Sequence, residues 1–281
     1  MIFVQTKKEL DEEINFFLKN NEVISLVPTM GNLHKGHFSL IEIAKRNSTK
    51  VIVSIFINPL QFGINEDFEN YPRTIDKDIK ELKKLNCDLL FFPINSTEVF
   101  ENINNIKLIK SGELGKILCG KNRPGHFDGV LTVVNELFNL IKPNVAVFGK
   151  KDYQQQILIK KLARTNFPKL KILTGAIIRD KNGLALSSRN SYLDKNQKII
   201  ASYLFKTLKN VTKFYQKEQN LDEIIINITK ILLQKNIEIE YLEIRDSQLN
   251  KVYNNKTELK KILLSSIKIG NTKLIDNIEF S

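Results

Sequence analysis

Residues Val51–Ile57 read VIVSIFI, with one polar side chain in seven, and shorter apolar runs recur at Val23–Val27, Asp88–Phe92, Val145–Phe148 and Lys171–Leu173. A strand with one solvated face alternates apolar and polar residues, whereas a strand that is apolar throughout has both faces covered. Amphipathic stretches separate these runs: Thr6 to about Asn20, about Gly36 to Arg46, Thr74–Leu85, Phe127–Ile141 and Tyr153–Ala163. The first opens on Thr6-Lys7-Lys8-Glu9, a capping-box pattern. Buried strands alternating with helices predict an α/β fold, a parallel sheet with helices on both faces. In such sheets ligands bind beyond the carboxyl ends of the strands. The stretches to search for chemistry are therefore Met30–His37, Asn58–Gln61 and Gly149–Asp152.

The texture changes after about Ala176. A turn at Lys181-Asn182-Gly183 precedes LALSSRNSYL; helical stretches follow at about 195–218 and 221–235, then short strands near Glu238–Glu243, Lys260–Leu264 and Asn277–Phe280. The reading is a first domain over 1–176 and a smaller α+β domain over 177–281. A chain of 281 residues buries roughly 75% of its unfolded surface and needs no covalent staples. Cys87 and Cys119 match no metal or redox spacing and read as reduced thiols. The start, MIFVQTKKELDEE, becomes charged too soon for a signal peptide, and no apolar run reaches about 18 residues. The expectation is a cytoplasmic protein with no membrane partner.

The net charge of +12 invites a nucleic-acid reading. Only seven of the 43 basic residues are arginines, and the lysines are dispersed. A solvated, lysine-rich surface is the simpler account, and no nucleic-acid partner is expected. Four of the arginines, Arg73, Arg123, Arg179 and Arg189, fall in motif-like stretches.

In PTMGNLHKGH, Pro28 ends a strand, Gly31 permits a tight turn, and His34 and His37 share one side of a first helical turn. Gly36 removes a side chain where a base or phosphate could approach, and a helix N-terminus suits phosphate. The same residues would also serve as a capped turn without chemistry. A zinc site does not fit the spacing. Asn58 and Gln61 in NPLQ place two amides at a strand's carboxyl end, where they suit a small polar substrate or a plain β-turn. In KNRPGHF, Arg123 suits an anionic group and His126 is the third and last histidine. In FGKKDYQQQ, Gly149, Lys150 and Lys151 suit phosphate, although the Walker pattern is absent. Ser187, Ser188 and Arg189 combine hydroxyls with a guanidinium, a set suited to a departing polyphosphate. No serine or cysteine has an assured local base.

The ordered set PTMGNLHKGH, FINPLQF, RPGHF, FGKKDYQQ and LSSRN resembles the pantothenate synthetase (pantoate–β-alanine ligase) family of the HIGH-type nucleotidyltransferase superfamily. The resemblance is strong from about residue 23 to 193. It implies a Rossmann-like domain with a smaller C-terminal lid. The implied reaction has two steps: pantoate's carboxylate attacks the α-phosphate of ATP, and the amine of β-alanine then attacks the pantoyl adenylate. The substrate supplies the nucleophile, which accounts for the missing one.

On matching positions the resemblance assigns an ATP site to Met30, Gly31, Asn32, Leu33, His34, Lys35, Gly36 and His37. It continues that site through Gly149, Lys150, Lys151, Asp152, Ile178, Leu186, Ser187, Ser188 and Arg189. The catalytic set would be His37, His34, Lys151 and Arg189, with His37 as the acid, Lys151 reaching phosphate and Asp152 the ribose. Gln61 and Gln155, with Asn58, would hold pantoate, and Arg123 and His126 would shape the pantoate and β-alanine region. ATP would enter as substrate with Mg2+, with no tightly bound organic cofactor; the metal ligands stay unassigned among Asp67, Asp76 and Asp78. The resemblance also implies a homodimer. Lys150 stands where the family usually has Glu, and Leu186 where it usually has Met. The rivals are a class I aminoacyl-tRNA synthetase fragment, another adenylyltransferase, and a nucleotide-binding sensor without chemistry.

Overall fold

The computed structural model describes residues 1–64, 66–101, 105–213, 220–235, 237–252 and 260–280. The chain divides into two compact units. One is Met1–Lys150 with Gln154–Ala176, the other Lys151–Tyr153 with Ile177–Ser281. The short segment Lys151–Tyr153 thus packs with the second unit, although its neighbours on both sides belong to the first.

The first unit is a six-stranded sheet in the order β1-β4-β3-β2-β5-β6. Its strands are β1 (Ile2–Val4), β2 (Ile24–Thr29), β3 (Lys50–Ile55), β4 (Leu89–Phe91), β5 (Val145–Gly149) and β6 (Lys171–Gly175). Every pairing is parallel. Its larger helices are α1 (Lys7–Lys19), α2 (Lys35–Lys45), α3 (Ile75–Lys84), α5 (His126–Ile141) and α6 (Tyr153–Asn166), with a single turn, α4, at Cys119–Asn122. The capping box of α1 forms as expected: Thr6 Oγ1 accepts from Glu9 N, and the Glu9 carboxylate accepts from Thr6 N.

The period-2 geometry of strands explains why the apolar runs are unbroken. Val51, Val53 and Ile55 of β3, with Val145 and Val147 of β5, pack beneath α2 and α3. Their neighbours Ile52, Ala146 and Phe148 face α1, α5 and α6 instead. Both faces are buried, so each residue along the strand meets a helix layer. The expected α/β class is what the chain adopts. The edge strand β1 gave no periodic signal because it is three residues long, with Ile2 and Phe3 more than a third exposed.

Strand order also locates a crevice. From β2 the chain crosses through α2 to β3 on one side; from β5 it crosses through α6 to β6 on the other. The connections that leave β2 and β5 diverge from adjacent strands, which makes their carboxyl ends the topological switch point.

The second unit is an antiparallel sheet of β7 (Glu238–Asp246), β8 (Lys261–Ile269) and β9 (Thr272–Phe280). Helices α7 (Lys195–Lys213) and α8 (Leu221–Leu233) bury Leu204, Leu208, Ile224, Ile228 and Leu232 against Leu263 and Ile267. The last residues of the helix expected over 195–218 lie outside the described residues.

Candidate active site

Residues 30–34 carry the chain from β2 into α2. Gly31 (φ +83°) and Asn32 (φ +48°) are both left-handed. A Cβ on Gly31 would come within 3.1 Å of Ile55 and 3.3 Å of Asp78, so the position combines an unusual φ with close packing. His34 is the N-cap of α2. Its Nδ1 accepts from Gly36 N at 3.1 Å, while His37 Nδ1 accepts from His34 N at 3.3 Å. The two imidazoles thereby satisfy orphan donors at the helix start and are held with ring centroids 4.1 Å apart. With each Nδ1 accepting, the proton of each neutral ring resides on Nε2, which makes Nε2–H the donor edge.

Gly36 also meets a packing constraint that its sequence context does not show. A Cβ there would lie 2.8 Å from His34 Cε1 and 2.9 Å from Nδ1. The absent side chain makes room for the His34 ring. The turn is capped, and the capping residues are themselves the chemically competent ones. Lys35 between them is exposed.

Around Gln61 a second network converges. Asn58 is buried; its Oδ1 accepts from Leu60 N, and its Nδ2 donates to Gln61 Oε1 at 3.2 Å and to Gly129 O at 3.1 Å. Gln61 Nε2 donates to Met30 Sδ at 3.0 Å. The Gln61 carbonyl receives Arg123 Nη2 at 3.3 Å and lies 2.7 Å from His126 Nδ1. A carbonyl only accepts, so His126 Nδ1 carries the proton, and Nε2, 2.8 Å from Arg123 Nη1, is an acceptor. Arg123 also forms a two-pronged pair with Glu66. Burial would raise the Glu66 carboxyl, but the hydrogen bonds and charge of Arg123 outweigh it and hold the group below its ordinary value. Arg123 and His126 thus brace the backbone that presents Gln61 and Asn58.

Gln155 is half-buried and makes no side-chain hydrogen bond among the described residues. Its neighbour Gln154 is occupied, accepting from Cys119 N and donating to Leu114 O and Ile117 O. At the end of β5, a Cβ on Gly149 would meet no atom within 4 Å, so open space lies beside the backbone there. Lys150 N donates to Gly175 O at 2.8 Å. Among the described residues no group of three or more His, Cys, Asp or Glu side chains is arranged to hold a metal. Cys87 offers no nucleophile, because burial pushes its thiol up to about 12.

In the second unit, Leu186 N donates to Ile178 O at 2.9 Å across a turn that Asp180 organises by accepting from Asn182 N and Leu184 N. Ser187 Oγ accepts from Arg189 N at 3.3 Å and starts a short 3-10 turn over Ser188–Tyr192. Ser188 is buried, and Ser187 and Arg189 are half-buried. Asn277 Nδ2 donates to Lys151 O at 3.0 Å, and Tyr153 Oη donates to Ser247 O at 3.1 Å. These bonds tie Lys151–Tyr153 into this unit; Asp152 between them is half-buried.

Two residues outside the sequence motifs hold the site. Asp78 accepts from the turn before His34, and Glu66 anchors Arg123. In sequence Asp78 reads as a first-turn acid of α3 and as one of three carboxylates considered for magnesium, with no sign of the turn it holds. Its partners lie 45 and 46 positions away and those of Glu66 57, so nothing local signals either.

A family model described as pantoate-beta-alanine ligase matches residues 2–279. The chain belongs to the pantoate–β-alanine ligase family. A pantothenate synthetase of Buchnera aphidicola subsp. Acyrthosiphon pisum is 46% identical over 280 residues, covering 99% of this chain and 98% of the relative. One from Ruthia magnifica is 42% identical over 276 residues, covering 97% and 96%. Among solved structures, a pantothenate synthetase from Thermus thermophilus superposes with TM-score 0.92 at 32% identity over 100% of both chains. The Francisella tularensis pantoate-beta-alanine ligase, in a complex described as with beta-gamma ATP and β-alanine, gives a TM-score of 0.83 at 35% identity, covering 99% of this chain and 97% of that one. The resemblance carried by the five motifs holds across the pantoate–β-alanine ligase chain, and with it the expected class of carbon–nitrogen ligase.

Proposed function

We propose that the chain condenses pantoate with β-alanine at the expense of ATP, through a pantoyl adenylate, releasing AMP and pyrophosphate. The observation that carries this reading is the His34–His37 pair at the switch point of a parallel sheet in a chain of this family. Pantoate's carboxylate attacks the α-phosphorus and the bond to the pyrophosphate oxygen breaks. Negative charge grows on the phosphoryl oxygens in that step. Two Nε2–H groups already oriented by backbone bonds stabilise it without reorganisation. His37 acts here as a hydrogen-bond donor and gives up no proton, because its Nδ1 accepts from His34 N and Nε2–H carries the one proton of the neutral ring. The amine of β-alanine, in its neutral form, then attacks the acyl carbon; the bond to the AMP oxygen breaks and the amine loses a proton.

Binding roles follow the motifs. Met30–His37 and Gly149–Lys150 contact the nucleotide, and the open space beside Gly149 suits a close backbone approach. Lys151 takes phosphate, Leu186, Ser187, Ser188 and Arg189 close over the triphosphate, Asp152 takes the ribose, and Ile178 the adenine. Gln61, Gln155 and Asn58 hold pantoate, with Arg123 and His126 as their brace. ATP would enter with Mg2+, which is commonly held by substrate phosphates. The ligase acts as a homodimer in the cytoplasm, where Cys87 and Cys119 stay reduced.

Exchange of labelled pyrophosphate into ATP, with and without pantoate and with β-alanine omitted, tests the reading. Pantoate-dependent exchange is expected. Exchange driven instead by an amino acid, or none with pantoate, overturns it.

A further inference from the structure

The turn that delivers His34 is held from outside itself. Two consecutive left-handed residues, Gly31 and Asn32, leave the N–H groups of Asn32 and Leu33 pointing away from the sheet ladder. Asp78, in the first turn of α3, receives both: Oδ2 accepts from Asn32 N at 2.9 Å and Oδ1 from Leu33 N at 2.8 Å. Thr74 Oγ1 donates to Oδ2 at 3.1 Å. Asp78 is 1% exposed. Burial is the largest influence on its carboxyl and raises it, against the lowering effect of the Leu33, Thr74 and Asn32 bonds. A buried carboxylate thus receives its hydrogen bonds from the turn and from the start of its own helix.

We propose that Asp78 is a positioning residue for the phosphate-contacting histidines. By clamping the Asn32 and Leu33 amides it fixes the residue before the N-cap, and so the direction in which His34 and His37 present Nε2–H. The inference rests on the ligase reading above and adds α3, which carries none of the motifs, to the machinery that serves ATP. An amide at this position keeps one acceptor but turns an N–H toward the other backbone donor, leaving one buried pair mismatched.

The test compares the full-length wild type with Asp78→Asn and Thr74→Val. For each, pyrophosphate exchange gives KM for ATP and for pantoate, and the full reaction gives KM for β-alanine. Asp78→Asn is expected to raise KM for ATP about tenfold to a hundredfold, with KM for β-alanine within about twofold. The amide proton resonances of Asn32 and Leu33 move upfield once their charged acceptor is lost. Thr74→Val, which leaves the carboxylate in place, shifts KM for ATP in the same direction by about threefold. An unchanged KM for ATP in a folded Asp78→Asn overturns the proposal while the ligase reading stands. Equal losses for all three substrates with a lowered melting temperature overturn it as well, marking a general structural role. If Asp78→Asn does not fold, Thr74→Val decides by the same criterion. Absence of pantoate-dependent exchange in the wild type removes the reading and the inference together.

Discussion

The chain has three histidines, and all three lie in the first unit, yet the two regions that hold them treat the imidazole in opposite ways. At the β2–α2 turn, backbone N–H groups pin Nδ1 of both His34 and His37, so the proton is on Nε2. At the start of α5, the Gln61 carbonyl accepts from the Nδ1–H of His126, and Arg123 donates to its Nε2. The first region orients donors. The second uses both ring nitrogens up in bracing a neighbouring turn. A histidine near a functional site is thus assigned a role by what its two nitrogens meet, not by its proximity alone.

The sharpest way to break this contrast is to remove one member from each region. His37→Ala is expected to lower pantoate-dependent exchange by about two to four orders of magnitude, as loss of a positioned proton or hydrogen-bond donor does. Thermal unfolding should move only a few degrees; unfolding at ordinary temperature would make the pair a structural cap. His34→Asn separates the two jobs of that residue. Asparagine is a good N-cap, so the melting temperature should hold while exchange falls about a hundredfold. Recovery of the rate with the cap would show that capping was the whole role.

His126→Ala should reverse the balance. It leaves the buried Gln61 carbonyl short of a donor and costs about 1–3 kcal/mol in urea unfolding, with exchange reduced by about tenfold or less. A larger rate loss than in His37→Ala would overturn the division of labour. The mildest probe is pH. Glu66 has a folded value held below its ordinary 4.5, so it contributes stability above that pH and loses it as pH falls through the folded value. The stability gap between wild type and Glu66→Gln should therefore narrow on acidification below 4.5, in urea melts at successive pH values. A gap independent of pH would mean the pair with Arg123 does not stabilise the loop.

Much of this was legible in the sequence, for identifiable reasons. The parallel sheet follows from runs such as Val51–Ile57, because a strand buried on two faces has no polar phase to hide. The site's neighbourhood follows from where those strands end. The pairing of His34 with His37 is a matter of helical spacing within one turn. Long-range partners were not legible. Asp78 and Glu66 lie in ordinary charged stretches, and only folding brings them to Leu33 and Arg123. At Gly36 the sequence context signals close approach without saying to what; one approaching group is the His34 ring. The attachment of Lys151–Tyr153 to the second unit depends on Asn277 and Ser247, 126 and 94 positions away, and no local pattern encodes it.

The measurement closest to the central claim is nitrogen-15 NMR of the three histidine rings in the unliganded chain at alkaline pH, where neutral imidazole dominates. The account predicts Nε2–H tautomers for His34 and His37 and an Nδ1–H tautomer for His126, each assigned from single His→Asn variants. A common tautomer for all three, or Nδ1–H at either His34 or His37, would contradict it.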